Sequence, residues 1–327
     1  SIEKAKKEQE EYKGGAQSST QQIRDVDWLK NRYFFIHPWF RNGVDTSVVH
    51  NLVIKQVNIP SFYPLRNGLH YIGNLVVKNF ELYKSINTNE AGAVTGTAYI
   101  NPINPLDSAY LDNNETGNFI RLESGTNYML SADLGYIRLR DMVMNEILGC
   151  SFVLEDRNTG EIILEVGTPA DSAGTNLSLM MLKPRNSHPN HPSWPLMFKN
   201  VYYLGTNQIN QEGFEVKIIN KRSTPESDRD RITSLPYITL FGLDSLDVNG
   251  ERQYDEIIDV QSGNILNMLN GELLIPSLHP FAISDSLQGG NNVEELKDQL
   301  GIQEDILKFS LEDAKSSTQR LALAMSM

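Results

Sequence analysis

The sequence predicts a mainly β fold, with two β-sandwich-like antiparallel modules followed by a short helical C-terminal tail. Three observations lead to this prediction. Apolar and polar residues alternate with the period of a strand over 52–84. Hairpin signals occur at 118–139 and 150–166, and in the first of them Gly135 provides the conformational freedom that a tight turn requires. After Asn292, which can cap a helix, the composition becomes helical.

Length bounds the number of domains. At about 150 residues per domain, the 327 residues are enough for two domains or one large β domain. We expect a flexible or helical N-terminal lead over 1–24, a first β module over 25–170, a second β module over 171–285, and a helical tail over 286–327. Because the chain starts at Ser1 without an initiator methionine, we expect it to be a segment of a longer protein.

Composition excludes several classes of function. The formal net charge is -12 and the pI is about 5.0. Because this negative charge repels phosphate, we expect no nucleic-acid partner. A single cysteine, Cys150, excludes an internal disulfide framework and a cysteine-based zinc site, and we expect it to pack as a small apolar side chain. No apolar run reaches the roughly 18 to 20 residues of a membrane helix, and we expect no signal peptide.

Aromatic residues are concentrated near the N-terminus. Asp25 and Asp27 precede them and predict a short capped helix that runs into an extended segment. Five aromatic residues lie between Tyr33 and Phe40, and their rings would bury a large apolar area. We expect a core anchor here, with an exposed ligand platform as the alternative.

The remaining segments predict strands separated by surface loops. Residues 85–117 are rich in Asn, Thr, Gly and Pro and predict a long, functional or flexible loop. Residues 221–234 are polar and predict a surface excursion, whereas 140–148 has the period of a helix. Further strands are expected at 196–204, 214–219, 238–243 and 273–275.

One internal similarity suggests a recurring hairpin. Residues 128–139 and 265–275 each contain an apolar strand, an Asn or Asp turn, a glycine and a second short apolar strand. The two glycines, Gly135 and Gly271, are separated by about the length of a domain. We expect one such hairpin in each module, with chance similarity as the alternative.

Candidate metal ligands are weak. His188 and His191 have the spacing of a ligand pair, but prolines interrupt the segment and no carboxylate lies nearby, so a turn packed beside Trp194 is favoured. Asp247, Asn249 and Asp255 offer oxygen ligands to calcium. The full calcium-loop pattern is absent, so a solvated acidic turn is the competing interpretation and no cofactor is expected.

No catalytic residue stands out. The sequence has no Gly-x-Ser-x-Gly elbow and no phosphate-binding loop, and nothing local would activate Cys150. Scattered acidic residues do not single out a carboxylate pair of the glycosidase type. We therefore expect no enzymatic activity.

Six segments together resemble one family of proteins. These segments are similar to the aromatic entry motif, the hairpins and the strand motifs of the Sov/SprA proteins, and they occur in the same order along the chain. The Sov/SprA proteins are the giant outer-membrane translocons of the Bacteroidetes type IX secretion system. Residues 1–13 and the weakened acidic turn around 247–255 depart from the family pattern. The matching segments are Gly14–Gln17, Asn31–Asn42, Tyr128–Leu139, Trp194–Gly205, Gly271–Phe281 and Asp313–Thr318.

The resemblance implies a non-catalytic soluble module that is inserted between strands of a very wide outer-membrane barrel and serves protein export and gliding motility. Because periplasmic turns of such barrels are short, we expect an extracellular cap at the cell surface, with a periplasmic-side insertion as the alternative. The implied partners are the rest of the barrel, a smaller barrel protein at the lateral gate, a periplasmic plug protein and secreted cargo. The loops at 85–117 and 221–234 would be the mobile parts of this cap. The negative charge would keep the mouth of the channel from adhering to acidic surfaces.

Two other functions compete with this interpretation. A carbohydrate-binding cell-surface β-sandwich would present Trp28, Trp39 or Trp194 as exposed stacking platforms. A carboxylate-dependent hydrolase would hold two carboxylates about 5 to 9.5 Å apart in a cleft.

Overall fold

The computed structural model describes residues 20–24, 27–42, 75–87, 90–132, 134–168, 176–220, 225–230, 233–247, 249–251, 253–260, 265–275 and 321–326. It confirms a mainly β fold with antiparallel sheets. The predicted strands at 52–74 and the predicted helices at 286–320 lie outside the described residues. No helix among the described residues has the length and apolar character that crossing a membrane requires.

Fifteen strands and two short helices make up the described elements. The helices are α1 (Pro38–Asn42) and α2 (Tyr237–Leu240). The strands are β1 (Thr20–Arg24), β2 (Tyr33–Phe35), β3 (Leu75–Ile86), β4 (Val94–Tyr99), β5 (Glu115–Leu122), β6 (Tyr128–Ser131), β7 (Tyr136–Leu139), β8 (Leu148–Asp156), β9 (Ile162–Val166), β10 (Leu177–Lys183), β11 (Val201–Tyr203), β12 (Glu215–Asn220), β13 (Leu266–Asn267), β14 (Glu272–Leu274) and β15 (Leu321–Ser326).

The largest sheet closes on itself. Its strands follow the order β10-β4-β5-β3-β8-β9, and β8 also pairs with β10, so five strands form a small barrel that β9 extends. The pairing of β4 with β10 is parallel, in contrast to the other pairings of the described strands. The close approach of these two strands requires Gly96, where a Cβ would lie 2.6 Å from Leu177 Cβ.

Alternation along the barrel strands separates two cores. Tyr83, Phe119 and Leu179 belong to a compact cluster confined to the barrel and its ends. Their neighbours Leu82 and Met180 belong to the main core, which packs the barrel against the rest of the chain. Successive side chains of a strand point to opposite faces, and this period of two allows one sheet to serve both cores.

Three smaller sheets complete the fold. They have the orders β2-β7-β6, β11-β14-β13 and β1-β15-β12. The main core contains residues from Ile23 to Ile275. Strand β10, which follows the predicted boundary at 170, pairs with two strands that precede it. The two predicted modules therefore share a sheet and a core.

The ends of the chain correct two predictions. Residues 321–326, expected to be helical, form β15, and residues 20–24 of the predicted N-terminal lead form β1. Strand β15 lies between β1 and β12 and pairs with both. Leucine, alanine and methionine favour helices intrinsically, but hydrogen bonding on both sides of a central strand outweighs that local preference.

Several central predictions are also corrected. The predicted loop 85–117 contains β4 and the start of β5, and residues 140–147 contain no helix. The predicted strand 238–243 instead begins with α2, because Pro236 precedes a turn that places four consecutive side chains in the core. The helix expected near Asp27 comes later as α1, after the extended aromatic strand. Strands predicted near 118–122, 150–166, 214–219 and 273–275 are confirmed. The strand predicted at 196–204 is confined to Val201–Tyr203, because Trp194–Leu196 form a 3-10 helix.

Candidate functional site: the joint between two hairpin sheets

The recurring hairpin predicted from the sequence is present in both places. Strands β6 and β7 form one hairpin, and β13 and β14 form the other. Gly135 and Gly271 stand directly before the second strand of each hairpin, with φ values of 64° and 62°. Both turns therefore need a left-handed backbone that glycine adopts without steric cost.

A third strand extends each hairpin in the same register. In the first sheet, Phe34 of β2 lies opposite Ile137 of β7. In the second sheet, Tyr202 of β11 lies opposite Leu273 of β14. In both sheets, the central residue of the added strand therefore lies opposite the second residue after the turn glycine.

Backbone hydrogen bonds reproduce this equivalence. The Ile36 N–H donates to the Gly135 carbonyl at 2.9 Å, and the Leu204 N–H donates to the Gly271 carbonyl at 2.7 Å. Each added strand is therefore held to the turn of its hairpin by the same bond. Two sheets with one topology and one hydrogen-bond pattern form a structural repeat.

The two sheets also exchange backbone contacts reciprocally. Trp28, just before β2, forms a bridge with Tyr202 of the second sheet. Met197, just before β11, forms a bridge with Phe34 of the first sheet. Such mutual contacts are the pattern of a two-fold interface. We call the two sheets, together with residues 28–32 and 197–200, the joint.

A buried ionic cluster lies at the centre of the joint. Glu272 is 2% exposed, and its carboxylate accepts two hydrogen bonds of 2.8 Å from Arg138. Arg32 donates to the same carboxylate at 3.1 Å and the Tyr33 hydroxyl at 2.6 Å. Burial, and then the charge of Glu272, raise the pKa of Tyr33 above its usual range, so the phenol remains a donor.

Aromatic rings pack around this cluster. Phe198 lies between two elements of the first sheet, with ring centroids 4.4 Å from Phe35 and 5.1 Å from Tyr136. Trp28 and Trp194 meet edge to face at 6.3 Å. The aromatic segment beginning at Tyr33 is thus a core anchor, as the sequence predicts.

Lys199 is the most unusual ionisable group of the joint. It is buried, donates to the carbonyls of Trp194 at 2.8 Å and Met197 at 2.9 Å, and lies 4.8 Å from the centre of the Trp194 ring. Burial, with a smaller contribution from the charge of Arg41, lowers the pKa of the Lys199 amine to about 7. A neutral amine retains two N–H donors, which match the two carbonyls.

The predicted calcium candidates form a turn. Asp247 accepts hydrogen bonds from the backbone N–H groups of Asn249 at 2.9 Å and Glu251 at 2.8 Å. Asp255 accepts one from the backbone of Ile257 at 3.0 Å. These bonds are typical of turns stabilised by an aspartate. Within the described residues, no group of three His, Cys, Asp or Glu side chains could hold a metal ion.

The two histidines lie in a tight turn, as expected. The His191 N–H donates to the His188 carbonyl, and the Trp194 N–H donates to the His191 carbonyl, both at 2.9 Å. The His191 ring accepts the Ser193 N–H at 3.2 Å. Burial and the neighbouring His188 lower the pKa of His191 to about 4, which keeps this acceptor unprotonated.

Buried aspartates that the sequence analysis did not single out organise residues 228–260. Asp244 accepts the Thr239 hydroxyl at 2.6 Å and two backbone N–H groups. Asp259 accepts the N–H groups of Ser245 and Leu246. Because these carboxylates are saturated by the chain itself, they stabilise loops. Their sequence signal is an aspartate that directly follows an apolar residue, Leu243 or Ile258.

The segments that carry the family resemblance converge in the joint. Residues 31–42, 128–139, 194–205 and 271–275 contribute β2, β6, β7, β11 and β14. Residues 14–17, 276–281 and 313–318 lie outside the described part of the chain. No protein-family model matches the sequence, and no curated protein matches it.

Proposed function

We propose that this chain is a non-catalytic module of a type IX secretion outer-membrane translocon, inserted between barrel strands as an extracellular cap. One observation carries the proposal. Four segments that resemble Sov/SprA motifs, widely separated in sequence, fold into the single joint described above. Motifs that belong together are expected to share a structural unit, whereas chance similarities would be scattered over the fold.

The joint suits a module that resists force rather than one that reacts. Its ionic cluster links strands more than 100 residues apart, since Glu272 binds both Tyr33 and Arg138. An ion-pair network around a buried carboxylate is costly to open, because the charge of Glu272 would lose its partners away from water. Such a joint would keep the shape of a cap while cargo passes beside it.

The carbohydrate-binding alternative is weakened by the tryptophans. Trp28 and Trp194 are buried in the core and pack against each other. Trp39 is half-buried, with its ring 4.9 Å from the ring of His37. Stacking on a sugar requires an accessible ring face, so no tryptophan of the chain provides the exposed platform that this function needs.

Export of cargo tests the assignment. In the bacterium that encodes the chain, the segment 20–326 is replaced by a short flexible linker, and proteins that carry the type IX export signal are followed by cell fractionation. We expect these proteins to accumulate in the periplasm. Unchanged export, or recovery of the full-length protein in the cytosolic fraction, would contradict the proposal.

Sidedness is tested by a protease site. The turn between β8 and β9 is exposed at Asn158 and Thr159, so a recognition sequence can be inserted there without disturbing the core. Cleavage in intact cells supports an extracellular cap. Cleavage only after the outer membrane is permeabilised supports the periplasmic alternative. A scrambled insertion of equal length provides the control for non-specific proteolysis.

A further inference from the structure

The connection between β4 and β5, residues 100–114, presents apolar side chains to solvent. Leu106 is 82% exposed, Ile103 is 55% exposed and Leu111 is 48% exposed. Isolated exposed apolar residues are common, but several within one short loop mark an interaction site. We call residues 100–114 the tip loop.

The tip loop is held in shape by its own polar side chains. Asn101 Oδ1 accepts the Asn104 N–H at 3.2 Å, and Asn101 Nδ2 donates to Asp107 at 3.3 Å. Asp107 also accepts the Ala109 N–H at 3.1 Å. These bonds lie inside the loop and turn its polar groups toward one another, while the apolar side chains remain outside.

The base of the tip loop is closed, and its backbone is stiff. The Ile100 N–H donates to Asn114 Oδ1 at 3.2 Å, which ties the two ends together. Pro102 and Pro105 restrict φ on either side of Ile103. A loop that is already ordered loses little conformational entropy on binding, so more of its contact energy becomes affinity.

The charge of the tip loop indicates the chemistry of its partner. Asp107 and Asp112 are its charged residues, and it contains no lysine, arginine or histidine. At its base, Arg185 is engaged with Glu115 at 3.6 Å. Segments that bind lipid surfaces are typically basic, because they are attracted to anionic headgroups. An acidic apolar loop instead complements a protein surface with basic residues at its rim.

We propose that the tip loop inserts Ile103, Leu106 and Leu111 into an apolar groove, rimmed by lysine or arginine, on a partner protein. Leu106 is the central contact, because it is the most exposed of the three side chains. Asp112 at the edge faces the basic rim and steers the approach. This inference rests on the loop alone and does not depend on the translocon assignment.

Photo-crosslinking in cells identifies the partner. A photoreactive amino acid replaces Ser108, an exposed residue of the tip loop, in the full-length protein. The control places it at Asn158, in an exposed turn elsewhere. We expect a cross-link to one polypeptide from position 108 and not from 158, with the linked segment apolar and flanked by lysine or arginine. Cross-links to lipid chains alone, to a second copy of this chain, or equally from both positions overturn the proposal.

Binding of the purified chain to the polypeptide so identified then tests the residues. We expect Leu106→Asp to weaken binding roughly 30-fold, as for a central contact. Asp112→Lys is expected to slow association and to reduce its dependence on salt. Leu269→Asp is the matched control, because Leu269 is a 67% exposed leucine in another turn. Wild-type affinity for Leu106→Asp, with an unchanged unfolding midpoint, would refute the proposal.

Discussion

Arg138 and Glu272, 134 residues apart in sequence, stand shortly after the turn glycines of two hairpins, and their side chains join the hairpins through two hydrogen bonds of 2.8 Å. Glu272 directly follows Gly271, and Arg138 is the third residue after Gly135. The repeated hairpins therefore contribute opposite charges from different positions. This asymmetry within a repeated framework makes the joint specific to one pairing of the two sheets.

Removing the acid of this pair is expected to destabilise the fold strongly. Glu272→Gln leaves the partly buried Arg138 and Arg32 beside a neutral amide, and the loss of a fully buried ion pair, about 3 to 5 kcal/mol, sets the upper limit of the cost. The free energy of unfolding, measured in urea, checks this value. Glu256→Gln is the control, because its pair with Arg229 is exposed and its loss should have no measurable effect. Equal stability of both variants would contradict the structural role.

The turn glycine of the first hairpin is expected to tolerate no side chain. A Cβ at Gly135 would overlap the Phe40 ring, and φ of 64° disfavours any L side chain. We expect Gly135→Ala to cost about 1–2 kcal/mol from the backbone and about 1–3 kcal/mol more from overpacking. Gly125→Ala carries only the backbone term, because its φ is 80° and no atom lies near its Cβ position. The difference between the thermal unfolding of the two variants gives the cost of overpacking, separate from the cost of the backbone conformation.

Acid is expected to destabilise the protein through His37. Burial lowers the pKa of this histidine to about 4, and its Nδ1 accepts the Trp39 N–H at 3.3 Å. Between about pH 6.5 and 4 the unfolded chain binds a proton that the folded chain does not, so stability falls by about 3 kcal/mol as pH drops through this window. His37→Asn keeps an acceptor and should remove the His37 part of this fall, whereas the part from His191, whose pKa is also about 4, should remain. The free energy of unfolding, measured in urea at a series of pH values, checks the difference between the wild-type and variant profiles.

Lys199 is expected to produce a second pH window of the same sign at neutral to alkaline pH. Its pKa of about 7 lies below the usual value of 10.5, so the folded chain binds fewer protons than the unfolded chain between these values. The contribution of Lys199 to stability should therefore rise with pH between these values, by about 1.4 kcal/mol per unit. Lys199→Met should lose the Lys199 part of this rise and keep the part from Lys183, whose pKa burial lowers to about 8. Lys78→Met, at an exposed position, should retain the whole rise, and an unchanged rise in Lys199→Met would contradict the prediction.

Cys150 is expected to report global unfolding. Its thiol is buried, donates to the Ile36 carbonyl at 3.6 Å, and burial raises its pKa above the usual range. Because the thiolate is the reactive form, thiol reagents should label the native protein only as fast as it unfolds. Labelling in denaturant is expected to be immediate. Rapid labelling of the native protein would indicate local opening of β8.

Local patterns predict much of the joint. The sequence correctly predicts a core anchor for the aromatic residues from Tyr33 onward, and Gly135 and Gly271 mark the turns of the recurring hairpins. Both inferences rest on short-range chemistry, namely ring burial and left-handed backbone geometry. The charged centre is not predicted by such rules. Glu272 has a single sequence signal, an acid between the turn glycine and an apolar strand.

The sequence by itself determines where strands and turns can form, because periods and turn residues act over a few positions. Only the tertiary structure decides which strands meet. Residues 321–326 become a strand because β1 and β12 lie on both sides, and β10 closes the barrel by pairing in parallel with the distant β4. These choices depend on partners far away in the chain, and their stability comes from shared burial that no local segment contains.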